Sequence, residues 1–498
     1  MNVNPITRLD YPDPDVIRVE DTYYMVSTTM HFMPGCEILQ SFDLVHWEHV
    51  TYVYETLDHT DAQQLKSGQN IYGQGMWAAS LRYHEGRFYI CFVANDTRKT
   101  YLYTSEKIDG PWKKQLIEGF YHDGSLLFDE DGRNYIVYGN DEIWITELNE
   151  DLTAPKKDGL HRLLVSDHKN PELGYEGSHI QKINGYYYIF LVHSLRDRWM
   201  RTEACFYSDS LEGEFTGGDV LCDDRGYCGQ GVAQGGIVDT PDGKWYAMLF
   251  QDSGAVGRIP ILLPVTWKDH FPFFGQNGHV PEEIEVHSTR PGYIYQPLVG
   301  SDDFCNGLLP RWQFNHDPDP RYYHLDALQG TYTITTREVC TELTQAVNTL
   351  TQRMSYPSCA AEVTVDASAL KEGDVAGLCA LQSCYAAVGI TKHHGKYEVL
   401  MLDKKEDGIL DMTEGIVVES HQMDFRLEAD FCNMKDEARC YYRVNKGDWL
   451  PIGTVHKLYF KLDHFTGCRF GLFCYAAEET GGSACFRDFK YYDVDEIS

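Results

Sequence analysis

The chain is patterned in short apolar bursts rather than in helical stripes. Runs of β-branched and aromatic residues are bounded by Gly, Asp, Asn and Pro, the rhythm of strands joined by tight turns. One unit recurs between residues 1 and 280: VIRVEDTYYMV, LRYHEGRFYICF, LLFDEDGRNYIVY, HIQKINGYYYIFL and IVDTPDGKWYAML. Each copy is an apolar run, a turn and an aromatic pair, which is a hairpin signal. The second aromatics are Tyr24, Tyr89, Tyr135, Tyr188 and Tyr246, spaced 65, 46, 53 and 58 residues apart. Such intervals hold one four-stranded sheet per copy. Four of the five hairpins are followed by a further signature, SFDLVHWE, SEKIDGPWKK, TELNEDLTAP or SDSLEGEFTG. The prediction is an all-β protein whose residues 1–295 form a five-bladed propeller, a ring that protects its own sheet edges. Residues 281–300 read as an extended connector. Beyond it the repeat stops, and TYTITT, CAAEVTVDA, YAAVGITKH and GKYEVLMLD alternate apolar with polar positions. That alternation predicts a lectin-like, jelly-roll β-sandwich over residues 301–498.

Composition narrows the partners. Lys and Arg number 43 against 75 Asp and Glu, a formal charge of −32 over 498 residues. A balance so acidic argues against nucleic acid and against an anionic membrane. No apolar run is long enough to span a bilayer. Met1 to Asp13 is polar and punctuated by Pro, without the features of a secretory leader, so the expectation is a cytoplasmic protein. The 15 Cys include no C-x-x-C pair and read as mostly buried, reduced thiols. Tyr alone contributes 34 residues, and aromatics with a polar tip suit β-sheets and sugar-binding clefts alike.

The repeat also aligns candidate chemistry. Twelve residues ahead of Tyr135, Tyr188, Tyr89 and Tyr246, and eleven ahead of Tyr24, stand Asp123, Glu176, Trp77, Gln234 and Asp13. Equivalent positions in a propeller converge on its axis. Taken singly, Asp13 in YPDP is a turn-former, Glu176 in YEGS a solvated loop residue and Trp77 a core residue. Together, three crowded carboxylates repel one another and lose water, which raises at least one pKa. A glycosidase needs that arrangement: one carboxylic acid protonates the leaving oxygen, and another carboxylate activates water or attacks carbon. Other signals are weaker. GQGVAQG is followed by no helix and no Lys, so it is not a phosphate loop. His393 and His394 are expected on opposite faces of a strand. Asp302, Asp303 and Asp488 could hold a structural calcium or serve as turn residues.

At these residues the chain resembles glycoside hydrolase family 43. The matching stretches are YPDPDVIRVEDTYYMVSTT, MHFMPGCEILQSFDLVHWE, HDGSLLFDEDGRNYIVY, GYEGSHIQKINGYYYIF and GAVGRIPILLPVTW. Past Ser301, the SDDF, LPRWQFNHDPDPRYY, NTLTQRM and EGDVAGLCALQ stretches are similar to the sandwich that follows the propeller in its β-xylosidase and α-L-arabinofuranosidase branch. The resemblance implies inverting hydrolysis, with carboxyls roughly 6.5–9.5 Å apart. Asp13 would be the general base, Glu176 the general acid, and Asp123 the carboxylate that orients the acid. It further implies Arg258 on the sugar and the acid, Trp77 and Met30 as pocket walls, and Phe465 of the sandwich at the rim. No cofactor is implied. Many members carry a central His associated with an ion; here the matching stretch is GVAQGG, so Gln234, with Glu203 in RTEACF, would supply polar contacts instead. Glu203 could equally be a salt-bridging residue. The expected substrates are plant cell-wall oligosaccharides. The MHFMPG and GVAQGGIVDTPDGKWYAMLF stretches favour arabinofuranosyl over xylosyl release. A sugar-binding propeller without catalysis and an endo-acting enzyme or lyase on long chains are the rival readings.

Overall fold

The computed structural model describes residues 2–493; Met1 and residues 494–498, the outer ends of the two expected domains, lie outside the described residues. The protein is all-β, a five-bladed propeller followed by a two-sheet β-sandwich. Each blade is a four-stranded antiparallel sheet. The innermost strands are Asp15–Val19, Met76–His84, Ser125–Phe128, Glu176–Ile183 and Val232–Asp239, and the second strands carry the five tyrosines. The ring closes between blades five and one, where Arg18 Nε donates to the Asp239 carbonyl at 3.1 Å. The connecting turns differ in length. They hold two residues in blades one, two and four, and five residues in blades three and five.

The sandwich packs a nine-stranded sheet on a seven-stranded one. Its strands alternate as the sequence does: in Thr331–Thr335 only Tyr332 and Ile334 are buried. Two features join the domains. Phe32–Met33, a strand from the first blade's loop, pairs with Gln313–Asn315 and so belongs to the larger sandwich sheet. Ala255, Val256 and Ile259 of blade five are fully buried within the sandwich core. All 15 Cys are free thiols, ten of them buried. No helix among the described residues is long and apolar enough to cross a membrane.

Three expectations change. Asp302 spends both carboxylate oxygens on N–H donors, Phe304 N at 2.7 Å and Trp312 Nε1 at 2.8 Å. It therefore staples the sandwich, and no cluster of three His, Cys, Asp or Glu side chains within ligand distance forms there among the described residues. His394 lies beyond the end of its strand, in a turn with φ of 51°. Its ring consequently sits beside that of His393, with centroids 4.0 Å apart, instead of facing away. Glu203 forms no salt bridge: it is fully buried, and burial pushes its carboxyl well above the usual range.

Candidate active site

Strand register decides which side chains share the site. The partners of Tyr24, Tyr89, Tyr135, Tyr188 and Tyr246 on the innermost strands are Ile17, Arg82, Leu127, Gln181 and Val238. Four residues ahead of each stand Asp13, Ala78, Asp123, Gly177 and Gln234, and all five have φ between 37° and 66°. These are the equivalent positions. In blades two, four and five the residue lies in a β-bulge, which re-aims the chain. Trp77 and Glu176 therefore sit one residue earlier than the expected alignment placed them, level with His122. Counting back a constant number from the tyrosines fails because the turns differ in length.

The one-residue offset sorts the side chains into two layers. Asp13, Asp123 and Gln234 line a small axial cavity of about 10 Å³, roughly one water in size. Trp77, His122 and Glu176 face a larger cavity of about 790 Å³ between propeller and sandwich. Arg201, Trp199, Asn140 and Gln230 line it from the propeller, and Met434, Asp436 and Lys457–Leu462 with Phe465 line it from the sandwich. A hollow of about 450 Å³ opens at the other end of the ring. Its cations are already paired: Arg18 with Asp239, Arg82 with Asp15, and Lys182 with Asp129.

Asp13 is held from two sides, by Thr28 Oγ1 at 2.5 Å and Arg258 Nη1 at 3.1 Å. Asp123 accepts the Gly177 N–H at 2.9 Å, and so grips the backbone beside Glu176. Glu176 Oε2 accepts Asn140 Nδ2 at 2.7 Å and faces His122 Nε2 at 3.4 Å. His122 also stands 3.6 Å from Asp123. The Asp123 carboxylate, reinforced by Glu176 and opposed by burial, raises the imidazole to about 9. Asp123 itself is pushed up to about 6, chiefly by burial, with Glu176 and Asp13 adding repulsion. His122, Asp123 and Glu176 form the one cluster of three ligand side chains within 4.8 Å among the described residues.

Phe465 reaches the site from the sandwich, its ring 4.2 Å from the Arg258 guanidinium and 5.4 Å from the Trp77 ring. Trp77 Nε1 and Arg258 Nε are buried without a protein partner, and of the two residues only Trp77 lines the larger cavity. Arg258 binds Asp13, not Glu176 as expected. The arginine facing Glu176 is Arg201, anchored by Asp252 at 2.9 Å; burial opposes its charge, and Asp252, Glu176 and Asp13 more than offset this. Met30 is 1% exposed and bridges to Met76 behind the wall, so it does not line the cavity. Gln234 does not replace a missing histidine. His179 of blade four occupies the centre and pairs with Asp15 at 3.1 Å, and Asp15 also binds Arg82 and the Leu81 N–H. A carboxylate so neutralised does not fit a calcium site. Glu203 instead accepts the Gln234 N–H at 2.7 Å and holds that turn in place.

Comparison with known proteins supplies the lineage. Residues 3–272 match the model described as glycosyl hydrolases family 43. The chain belongs to glycoside hydrolase family 43. Residues 301–492 match a β-xylosidase C-terminal concanavalin A-like domain. A β-xylosidase of Formosa agariphila is 26% identical over 99% of this chain and 89% of its own length. The structure of a bifunctional GH43-CE protein of Bacteroides eggerthii superposes with a TM-score of 0.93 at 42% identity. The match covers all of this chain, which spans 64% of that protein's length. A family 43 enzyme engineered to display both endo-xylanase and exo-arabinofuranosidase activity has a TM-score of 0.88 at 27% identity, covering 99% of both chains. The family 43 chain is thus a glycoside hydrolase, and its three expected carboxylates, Asp13, Asp123 and Glu176, surround the propeller's axial end.

Proposed function

We propose that this glycoside hydrolase is an exo-acting, inverting β-D-xylosidase that trims xylan-derived oligosaccharides, with Asp13 as general base and Glu176 as general acid. The observation that carries the reading is three carboxylates at one end of the ring, beside a cavity walled on its far side by the sandwich. A wall there favours a chain end over the middle of a polymer. Asp13, held by Thr28 and Arg258, would direct a water at the anomeric carbon. Glu176 opens on the larger cavity, where a leaving oxygen would take its proton. Asp123 orients Glu176 through the Gly177 N–H. Trp77 and Phe465 offer the sugar ring apolar faces.

Xylosyl specificity draws support from the likeness of the second domain to that of β-xylosidases and from the name of the Formosa relative. Release of α-L-arabinofuranosyl groups is the second reading, favoured by the exo-arabinofuranosidase activity named for the engineered structural neighbour. The MHFMPG stretch does not discriminate, because its Phe32–Met33 is spent on pairing with the sandwich. The test is incubation with linear xylo-oligosaccharides and with arabinoxylo-oligosaccharides, following the released sugar and its first anomer by NMR. Xylose from linear chains, appearing as the inverted α-anomer, is the expected result. Arabinose from branched chains alone would move the assignment to debranching. A retained anomer would remove Asp13 as base, and no release from either would favour a sugar-binding protein.

A further inference from the structure

A carboxylic acid has two oxygens and one proton, and a general acid works only if the proton sits on the oxygen facing the leaving group. The surroundings of Glu176 distinguish its two oxygens. Oε2 accepts Asn140 Nδ2 at 2.7 Å and faces the His122 ring N–H at 3.4 Å. Oε1 makes no hydrogen bond to the protein among the described residues, and Glu176 lines the open cavity. A proton on Oε2 would turn an O–H towards two N–H donors and forfeit both interactions, whereas the carbonyl-like oxygen of a neutral acid accepts them. We propose that Asn140 and His122 are positioning residues that keep the acid proton on Oε1 of Glu176, the oxygen open to the leaving group. The inference rests on Glu176 being the general acid.

The backbone around Asn140 is built as a bracket. Gly139 N donates to the His122 carbonyl at 3.0 Å, and Asp141 N donates to the Tyr175 carbonyl at 2.8 Å. The turn carrying Asn140 is thereby tied on one side to the residue before Asp123 and on the other to the residue before Glu176. The Asp141 side chain extends the bracket by accepting the Lys169 N–H at 3.0 Å. Gly139 has φ of 139°, and a Cβ there would stand 2.0 Å from the Glu142 carbonyl oxygen. Only glycine lets the strand turn this tightly and present Asn140 to Glu176. His122 is the counterpart of Trp77 and Glu176 in its own blade, so the repeat itself delivers the ring to the acid.

The test separates acid assistance from general damage. Asn140→Ala, at an exposed position, and His122→Asn are assayed on xylobiose, whose sugar leaving group needs a proton, and on 2,4-dinitrophenyl β-D-xyloside, whose phenolate leaves without one. Glu176→Gln is run alongside. Each positioning variant is expected to lose roughly tenfold to hundredfold in kcat on xylobiose and several times less on the aryl glycoside. Circular dichroism and melting temperature show whether the fold is intact. Equal losses on both substrates in Asn140→Ala and His122→Asn, with Glu176→Gln still discriminating, would overturn the proposal and leave the acid assignment standing. Equal losses in Glu176→Gln itself would overturn that assignment, and the proposal with it.

Discussion

Propeller and sandwich contribute to one cavity by different means. The propeller repeats a single hairpin five times and varies the residues at two adjacent positions of it. Symmetry then gathers Asp13, Asp123 and Gln234 on the axis and Trp77, His122 and Glu176 in the layer above. The sandwich has no repeat. It reaches the cavity through one irregular segment, residues 457–465, and through Met434 and Asp436. Its second task is to clamp the turn that carries Arg258. Asp436 accepts the Ala255 N–H at 3.1 Å, Cys468 N donates to the Ala255 carbonyl at 2.8 Å, and Gly467 N donates at 2.7 Å to Asp10 of the propeller, whose other oxygen accepts Arg258 N at 2.7 Å. The contrast teaches that chemistry here is inherited from symmetry, while enclosure and fine positioning are local and asymmetric.

The comparison breaks most visibly at the propeller's carboxylates. Asp13→Asn and Glu176→Gln should each lower kcat on oligosaccharide by roughly 10²–10⁴-fold with the fold retained by circular dichroism. Near-normal turnover in either variant would remove that residue from the catalytic pair. The junction between propeller and sandwich comes next. Asp10→Ala leaves two buried N–H groups without their acceptor, each worth about 1–3 kcal/mol, so both thermal stability and turnover should fall. A variant that lost stability but kept full turnover would show that the clamp serves the fold alone. Phe465→Ala removes the ring over Arg258, an interaction of about 0.5–2 kcal/mol, and should lower kcat/KM by roughly two- to thirtyfold in steady-state kinetics while the fold stays intact. An unchanged kcat/KM would reduce Phe465 to a spectator.

The last comparison is electrostatic. The imidazole of His122 is raised from 6.5 to about 9 in the folded protein. Its charge therefore contributes stability that is complete below about pH 6.5 and is lost as pH rises through about 9. Melting temperatures of the wild type and of His122→Gln should differ most on the acid side of that window and converge across it. A difference that stays constant with pH would contradict the ion pair with Asp123.

Much of this was legible before the fold was known. The five hairpins, the ring, the sandwich and the gathering of the three carboxylates, Trp77 and Phe465 are readable in the residues or in the family resemblance, whereas the partner of Arg258 was not. His122, Asn140 and Arg201 were missed. The signal for His122 lay in plain view, since HD in blade three stands where YE stands one residue out of step in blade four. It was hidden because turn lengths and bulges shift the count, and a slip of one residue reverses the face of a strand. Asn140 and Arg201 come from later strands of their blades, at spacings that the hairpin repeat does not constrain. Met30, a pocket wall by the family resemblance, was misplaced because it pairs with Met76 of the second blade and is buried behind the wall.

By itself, the order of apolar and polar residues determined the strands, their hairpins and the number of blades, because these depend on contacts between near neighbours. It also set which chemical groups stand near the opening of each blade. The tertiary structure alone decided which carboxylate faces the axis and which the cavity, which arginine meets which acid, and which oxygen of Glu176 is left open. Those outcomes depend on bulges, turn lengths and contacts between residues hundreds of positions apart, such as Asp10 with Gly467, and no local pattern encodes them.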